Sequence, residues 1–154
     1  MTFSLKSFLH FENTFRTANL FGKFSIKANE KDRDTYWGYH LVLNCATCEI
    51  PKITSKKNVD KFTRELVKRI DMKAYGDPQI VKFGTGNKAG FTLVQLIETS
   101  NICAHFCDDS GDMYLDVFSC KPFLREDVEK TVKEFFNPQS MNGTFLLRNA
   151  QDKV

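Results

Sequence analysis

Between Asp112 and Cys120 the chain alternates Met113, Leu115 and Val117 with Tyr114, Asp116 and Phe118. A period of two puts the two sets on opposite faces of an extended chain, so the stretch is a strand with one buried face. A strand of this kind needs partners, and the sequence offers several. Tyr36 to Cys45, aromatic and aliphatic up to a loop near Pro51, reads as a buried strand. Gln79 to Phe83 and Gly90 to Glu98 are short strands separated by the glycine-bearing loop from Gly84 to Gly90. Asn101 to Phe106 precedes an Asp/Ser/Gly turn from Asp108 to Gly111, and Thr144 to Leu147 adds a last strand. Two helices complete the set. Val59, Phe62, Leu66 and Ile70 recur on one face behind Asn58 as N-cap, and Leu124, Val128, Val132 and Phe135 do so before Pro138. The order β-α-β-β-β-β-α-β predicts an α+β two-layer sandwich, a mainly antiparallel sheet with two helices on one face.

The 154 residues fit one domain able to bury roughly two-thirds of its unfolded surface without covalent staples. Five cysteines, an odd number, fit a reducing compartment, so a cytoplasmic location is expected. No apolar run approaches the ~20 residues that span a bilayer, so no membrane partner is expected. The net charge of +3 is spread thinly. Lys52 to Lys73 is locally basic, but Asp60, Glu65 and Asp71 interrupt it, the pattern of a solvated helix surface and not of a nucleic-acid interface. Residues 1–36 stand apart as an N-terminal extension ahead of a domain at 37–154. The extension carries six phenylalanines (Phe3, Phe8, Phe11, Phe15, Phe21, Phe24) and, before Glu30, one acid, Glu12. That composition faintly resembles a transit peptide, yet suits better an added strand or helix covering apolar surface.

Familiar catalytic signatures are missing. There are three histidines, His10, His40 and His105, and no Gly-x-Ser-x-Gly elbow. Cys45 and Cys48 with Cys103 and Cys107 have a spacing worth testing against zinc, but Cys45 falls in an apolar strand and no zinc knuckle surrounds it, so no metal is expected. Cys45-x-x-Cys48 is followed by Pro51 and does not open a helix as a thioredoxin-type pair does. The Gly84–Gly90 loop lacks the Gly-Lys-Ser/Thr ending of a phosphate cradle.

Ser100 is followed five residues later by His105 and twenty later by Cys120, with Thr92 eight residues before it. This order and spacing resembles the prokaryotic S-adenosylmethionine decarboxylase proenzymes. The resemblance extends through Gly111, through Asp116-Val117-Phe118-Ser119-Cys120, and through Gly38-Tyr39-His40-Leu41-Val42 and Cys48, covering about Trp37 to Phe136. It implies a chain that cuts itself between Thr99 and Ser100, leaving a pyruvoyl cofactor made from Ser100 that forms a Schiff base with the substrate amine. His105 is then the processing base, Thr92 its hydroxyl support and Cys120 the proton donor in decarboxylation. Phe83, Phe106, Asp109 and Tyr114, with Phe91, are the candidate substrate contacts. The resemblance further implies a homodimer or higher homo-oligomer of αββα type, with active sites between subunits, acting on a small-molecule substrate in polyamine synthesis.

The chain departs from that family at informative points. Thr99 stands where the family has glutamate, Phe106-Cys107-Asp108-Asp109 replaces Thr-Trp-Pro-Glu, and Asn44 replaces an acid. These changes bear on the adenosine end of the substrate more than on decarboxylation. A decarboxylase of another amino acid such as arginine or ornithine, or an unprocessed homologue serving as a binding or regulatory subunit, are the alternatives.

Overall fold

The computed structural model describes residues 36–151. All but the last residue of the N-terminal extension lies outside them. Within them the order is β1 (Gly38–Ala46), α1 (Ile50–Ile53), α2 (Lys56–Arg69), β2 (Gln79–Phe83), β3 (Gly90–Ile97), β4 (Ser100–Phe106), β5 (Met113–Ser119), α3 (Arg125–Phe136) and β6 (Ser140–Arg148). The six strands form one antiparallel sheet in the order β2-β3-β4-β5-β1-β6. The α+β architecture read from the sequence is the one observed.

Alternation decides the two faces. Leu41 and Leu43 of β1, Leu93 of β3, Ile102 and Ala104 of β4, and Leu115 and Val117 of β5 are buried under the helices. Val59, Phe62 and Leu66 of α2 and Val128, Val132 and Phe136 of α3 meet them there. The Phe136 ring lies 4.7 Å from Phe62 and 5.4 Å from Phe106, stitching both helices to β4. Among the described residues no helix lies on the opposite face. It carries His40 and Val42, Thr92 and Val94, Cys103 and His105, and Tyr114, Asp116 and Phe118, all partly or largely exposed.

Three sequence expectations need correcting. The N-cap of α2 is Ser55, whose hydroxyl accepts from the Asn58 backbone N–H, while the Asn58 side chain donates to the carbonyls of Lys52 and Phe135. Pro51 does not sit in a loop but opens the short α1, where its missing N–H has no partner to lose. β6 runs nine residues and not four, because the whole of Gly38–Ala46 is available to pair with it.

Candidate active site

β3 and β4 form a hairpin closed by the pair Ile97–Ser100, with Glu98 and Thr99 as its two-residue connection. On its other side β4 pairs with β5, and the register sets Ser100 opposite Ser119, so that Cys120 follows directly past the strand end. From there the Cys120 backbone N–H donates to the Thr99 carbonyl oxygen at 2.9 Å. The Cys120 thiol is exposed and Ser100 is half-buried. Ser100 has φ 148°, a region that side-chain-bearing residues avoid and glycine tolerates. The peptide bond between Thr99 and Ser100 thus has a polarised carbonyl on one side and a strained residue with a hydroxyl on the other.

Thr92 and His105 form a second group. They are cross-strand partners on the helix-free face, with Thr92 Oγ1 3.1 Å from His105 Nδ1. Tyr114 follows on β5 in the same row. A pocket of about 270 Å³ opens beside them, walled by Phe83, Lys88 and Phe91. The two groups do not meet within one chain. His105 lies five residues along β4 from Ser100, roughly 16 Å at the rise of a strand, and it faces away from the helices with Asn101 and Cys103.

The candidate substrate contacts divide in the same way. Phe83 and Tyr114 line the pocket and are 58% and 44% exposed, leaving ring surface free. Phe106 borders the pocket, but it is 2% exposed and its ring packs on Phe136, so it serves the core first. Asp109 lies in the exposed turn and does not line the pocket. Its neighbour Asp108 is held by Lys82 at 2.8 Å, and the Lys82 ammonium also sits 5.4 Å from the centre of the Phe91 ring.

Sequence reasoning missed other polar groups. His40 Nε2 lies 3.1 Å from Asp116 Oδ1 on the helix-free face, with the His40 ring 5.4 Å from Phe118 and the Arg148 guanidinium 4.8 Å from the same ring. Antiparallel pairing of the two recognisable stretches around Leu41 and Val117 was the signal that could have found it. Lys88 had no signal beyond its place in a glycine-bearing loop. The zinc arrangement is not assembled: Cys45 and Cys48 are buried in the core, whereas Cys103 faces the other side of the sheet opposite Asp116. Burial, with each thiol close to a further negative group, pushes Cys45 up to about 12 and Cys48 to about 11. Among the described residues no group of three or more histidine, cysteine, aspartate or glutamate side chains is placed to hold a metal ion. Among them also, no helix is long and apolar enough to cross a membrane.

Comparison with known proteins places these observations in context. The sequence model of the family described as S-adenosylmethionine decarboxylase matches residues 39–149. No curated protein matches the chain. Among solved structures, the adenosylmethionine decarboxylase from Aquifex aeolicus VF5 is similar in fold, with 18% sequence identity and a TM-score of 0.65, over 77% of this chain and 96% of that one.

Proposed function

Because the chain belongs to the S-adenosylmethionine decarboxylase family, we propose that it cuts itself between Thr99 and Ser100 and decarboxylates S-adenosylmethionine in polyamine synthesis, in the cytoplasm. The observation that carries this reading is the Cys120 N–H on the Thr99 carbonyl, 2.9 Å away, beside a strained Ser100. As the Ser100 hydroxyl adds to that carbonyl, negative charge gathers on the oxygen that the N–H already faces, and a donor fixed there in advance stabilises it. The C–N bond then breaks and an ester links Thr99 to the Ser100 side chain. Removal of the Ser100 α-proton expels the Thr99 carboxylate and leaves a dehydroalanine, whose imine tautomer takes up water, loses ammonia and becomes a pyruvoyl end. Relief of the φ 148° conformation favours the first step.

The place suits a group made from Ser100, being half-buried and next to the exposed Cys120 thiol. Once present, the pyruvoyl carbonyl supplies the electron sink that decarboxylation needs. Cys120 is then the donor that returns a proton to the substrate α-carbon. Phe83 and Tyr114 present ring faces suited to adenine and to the sulfonium cation.

His105 is the processing base, and its distance from Ser100 within one chain argues that it acts on a second copy. If the helix-free faces of two subunits pack together about a twofold axis running across the strands, the strands of the two sheets run in opposite senses. The Thr92–His105 end of one sheet then lies over the Ser100 end of the other. Such packing gives the αββα dimer and covers Val42 and Val94, which are partly exposed on that face.

The test is an intact mass spectrum of purified protein with Ser100→Ala beside it, followed by an assay of carbon dioxide release from carboxyl-labelled S-adenosylmethionine. The expected result is two fragments divided between Thr99 and Ser100, the smaller lighter by one ammonia than a serine-ended peptide, and a variant that stays whole. A wild-type chain that persists as a single 17.8 kDa species refutes self-processing and favours a binding subunit. Cleavage without release from this substrate refutes the substrate assignment and favours another amino acid.

A further inference from the structure

The connection between α2 and β2 grips the scissile hairpin from outside. Asp71, two residues past α2, has a left-handed conformation, φ 55°, and from there the chain turns along the hairpin. The Met72 sulfur accepts from the Thr99 hydroxyl at 3.1 Å and from the Ser119 hydroxyl at 3.5 Å. The Lys73 carbonyl accepts from the Glu98 backbone N–H at 2.9 Å, and its ammonium pairs with the Glu98 carboxylate at 2.6 Å. Ala74 bridges to Ile97, and the Tyr75 N–H donates to the Leu96 carbonyl at 2.8 Å.

Lys121 closes this grip on the other side of the site. Its ammonium donates to the Asp71 carbonyl at 2.6 Å and to the Asp71 carboxylate at 2.5 Å, and its backbone N–H donates to the Ser119 hydroxyl at 2.9 Å. The ion pair holds the Asp71 carboxyl below its ordinary range. Cys120 is therefore fixed between a residue pinned through Met72 and a residue pinned through Asp71. With only one bond joining its backbone to the Thr99 carbonyl, its N–H direction depends on those two anchors.

We infer that Lys121 and Asp71 are positioning residues for self-cleavage, holding the Cys120 N–H on the Thr99 carbonyl by tying the end of β5 to the end of α2. The inference rests on the self-processing reading for its consequence, but the tether itself can be read without any cleavage. Displacing a stabilising donor by an ångström is enough to slow a reaction by one to two orders of magnitude.

The experiment uses Lys121→Ala, Lys121→Arg and Asp71→Asn in the full chain. In the uncleavable Ser100→Ala background, hydrogen exchange of the Cys120 amide should quicken ~10-fold with Lys121→Ala, while the Ile102 and Leu115 amides in the strand interiors keep their rates. In the cleavable chain, Lys121→Ala and Asp71→Asn should slow the conversion of whole chain to fragments by about tenfold or more, and Lys121→Arg should restore most of the rate. An unchanged Cys120 amide overturns the tether, whether or not the wild type cuts. Faster exchange with unchanged processing overturns its role in positioning. A uniform quickening of all amides overturns it as well, since that is general destabilisation. A wild type that never cuts sinks the processing reading and, with it, the proposed role.

Discussion

The backbone N–H of Cys120 meets the carbonyl oxygen of Thr99 at 2.9 Å, across the gap between the end of one strand and the turn of a neighbouring hairpin. The register of β4 on β5 creates this contact, because Ser100 opposite Ser119 leaves Thr99 and Cys120 as the next residues out on each side. The same register brings Thr99, Ser100, Ser119 and Cys120 together at the neighbouring ends of β4 and β5.

Strain at Ser100 can be measured apart from chemistry. Ser100→Gly and Ser100→Ala both lack the hydroxyl, so under the proposed mechanism neither cuts. Glycine adopts φ 148° freely and alanine does not. Ser100→Gly is expected to be the more stable of the two by about 1 kcal/mol in urea unfolding, net of the entropy that glycine gains in the unfolded chain. Equal midpoints would show that the position carries no strain to release.

Gly90 is expected to tolerate no side chain. A Cβ built there falls 1.7 Å from the Phe106 carbonyl oxygen and 2.8 Å from its carbon, so backbone would have to move. The obstacle sits where β3 leaves the loop and meets β4, two residues before Thr92. Gly90→Ala should cost about 3 kcal/mol or more and lengthen the Thr92–His105 contact by prying the strands apart. Unfolding in urea reads the first effect, and His105 ring resonances read the second. A loss under about 1 kcal/mol would mean that the β4 carbonyl yields readily.

The two core thiols predict an alkaline loss of stability. In the unfolded chain Cys45 and Cys48 release protons near their ordinary 9.0, whereas in the fold they keep them to about 12 and about 11. Above pH 9 the unfolded state therefore binds fewer protons, and stability falls as pH rises toward the folded values, at no more than ~1.4 kcal/mol per unit for each thiol. Below pH 9 both states hold the protons and the slope vanishes. Unfolding midpoints at pH 8, 9.5 and 10.5, compared with the Cys45→Ala/Cys48→Ala double variant, isolate this contribution. In the same protein iodoacetamide should modify the exposed Cys120 first and leave Cys45 and Cys48 until unfolding.

What could be read in the sequence follows from periodicity. β5 and the two long helices were legible because each has one face against the core, so burial writes a period of two or of 3.6 into the residue order. β6 was half-legible, since an edge strand with Ser140 and Asn142 outward and Met141 only partly covered shows little contrast. The burial of Phe106, which borders the pocket, was legible too, since it shares parity with Ile102 and Ala104, the buried set of β4. The separation of Ser100 from His105 was also latent, because five residues of extended strand span roughly 16 Å. What no local pattern carries is register. The contacts of Thr99 with Cys120 and of Asp71 with Lys121 join positions 21 and 50 apart, and only the packing of α2 against the sheet brings the second pair together.

If His105 serves a partner's Ser100, two dead chains should repair each other. Ser100→Ala lacks the nucleophile but keeps His105, and His105→Ala lacks the base but keeps Ser100; His105 is exposed, so its loss leaves the core intact. Co-expressed with different tags, the two assemble in part as mixed dimers. In an arrangement across the interface, one site of each mixed dimer joins an intact Ser100 to an intact His105, so only the His105→Ala chain is cut, to no more than the mixed fraction. In an arrangement within one chain, every site lacks one group and nothing is cut. Mass spectra of the tagged chains separate these outcomes. Intact chains in a preparation where mixed dimers are demonstrated by tandem affinity capture would place His105 and Ser100 in the same subunit's site, which the roughly 16 Å along β4 makes hard to build.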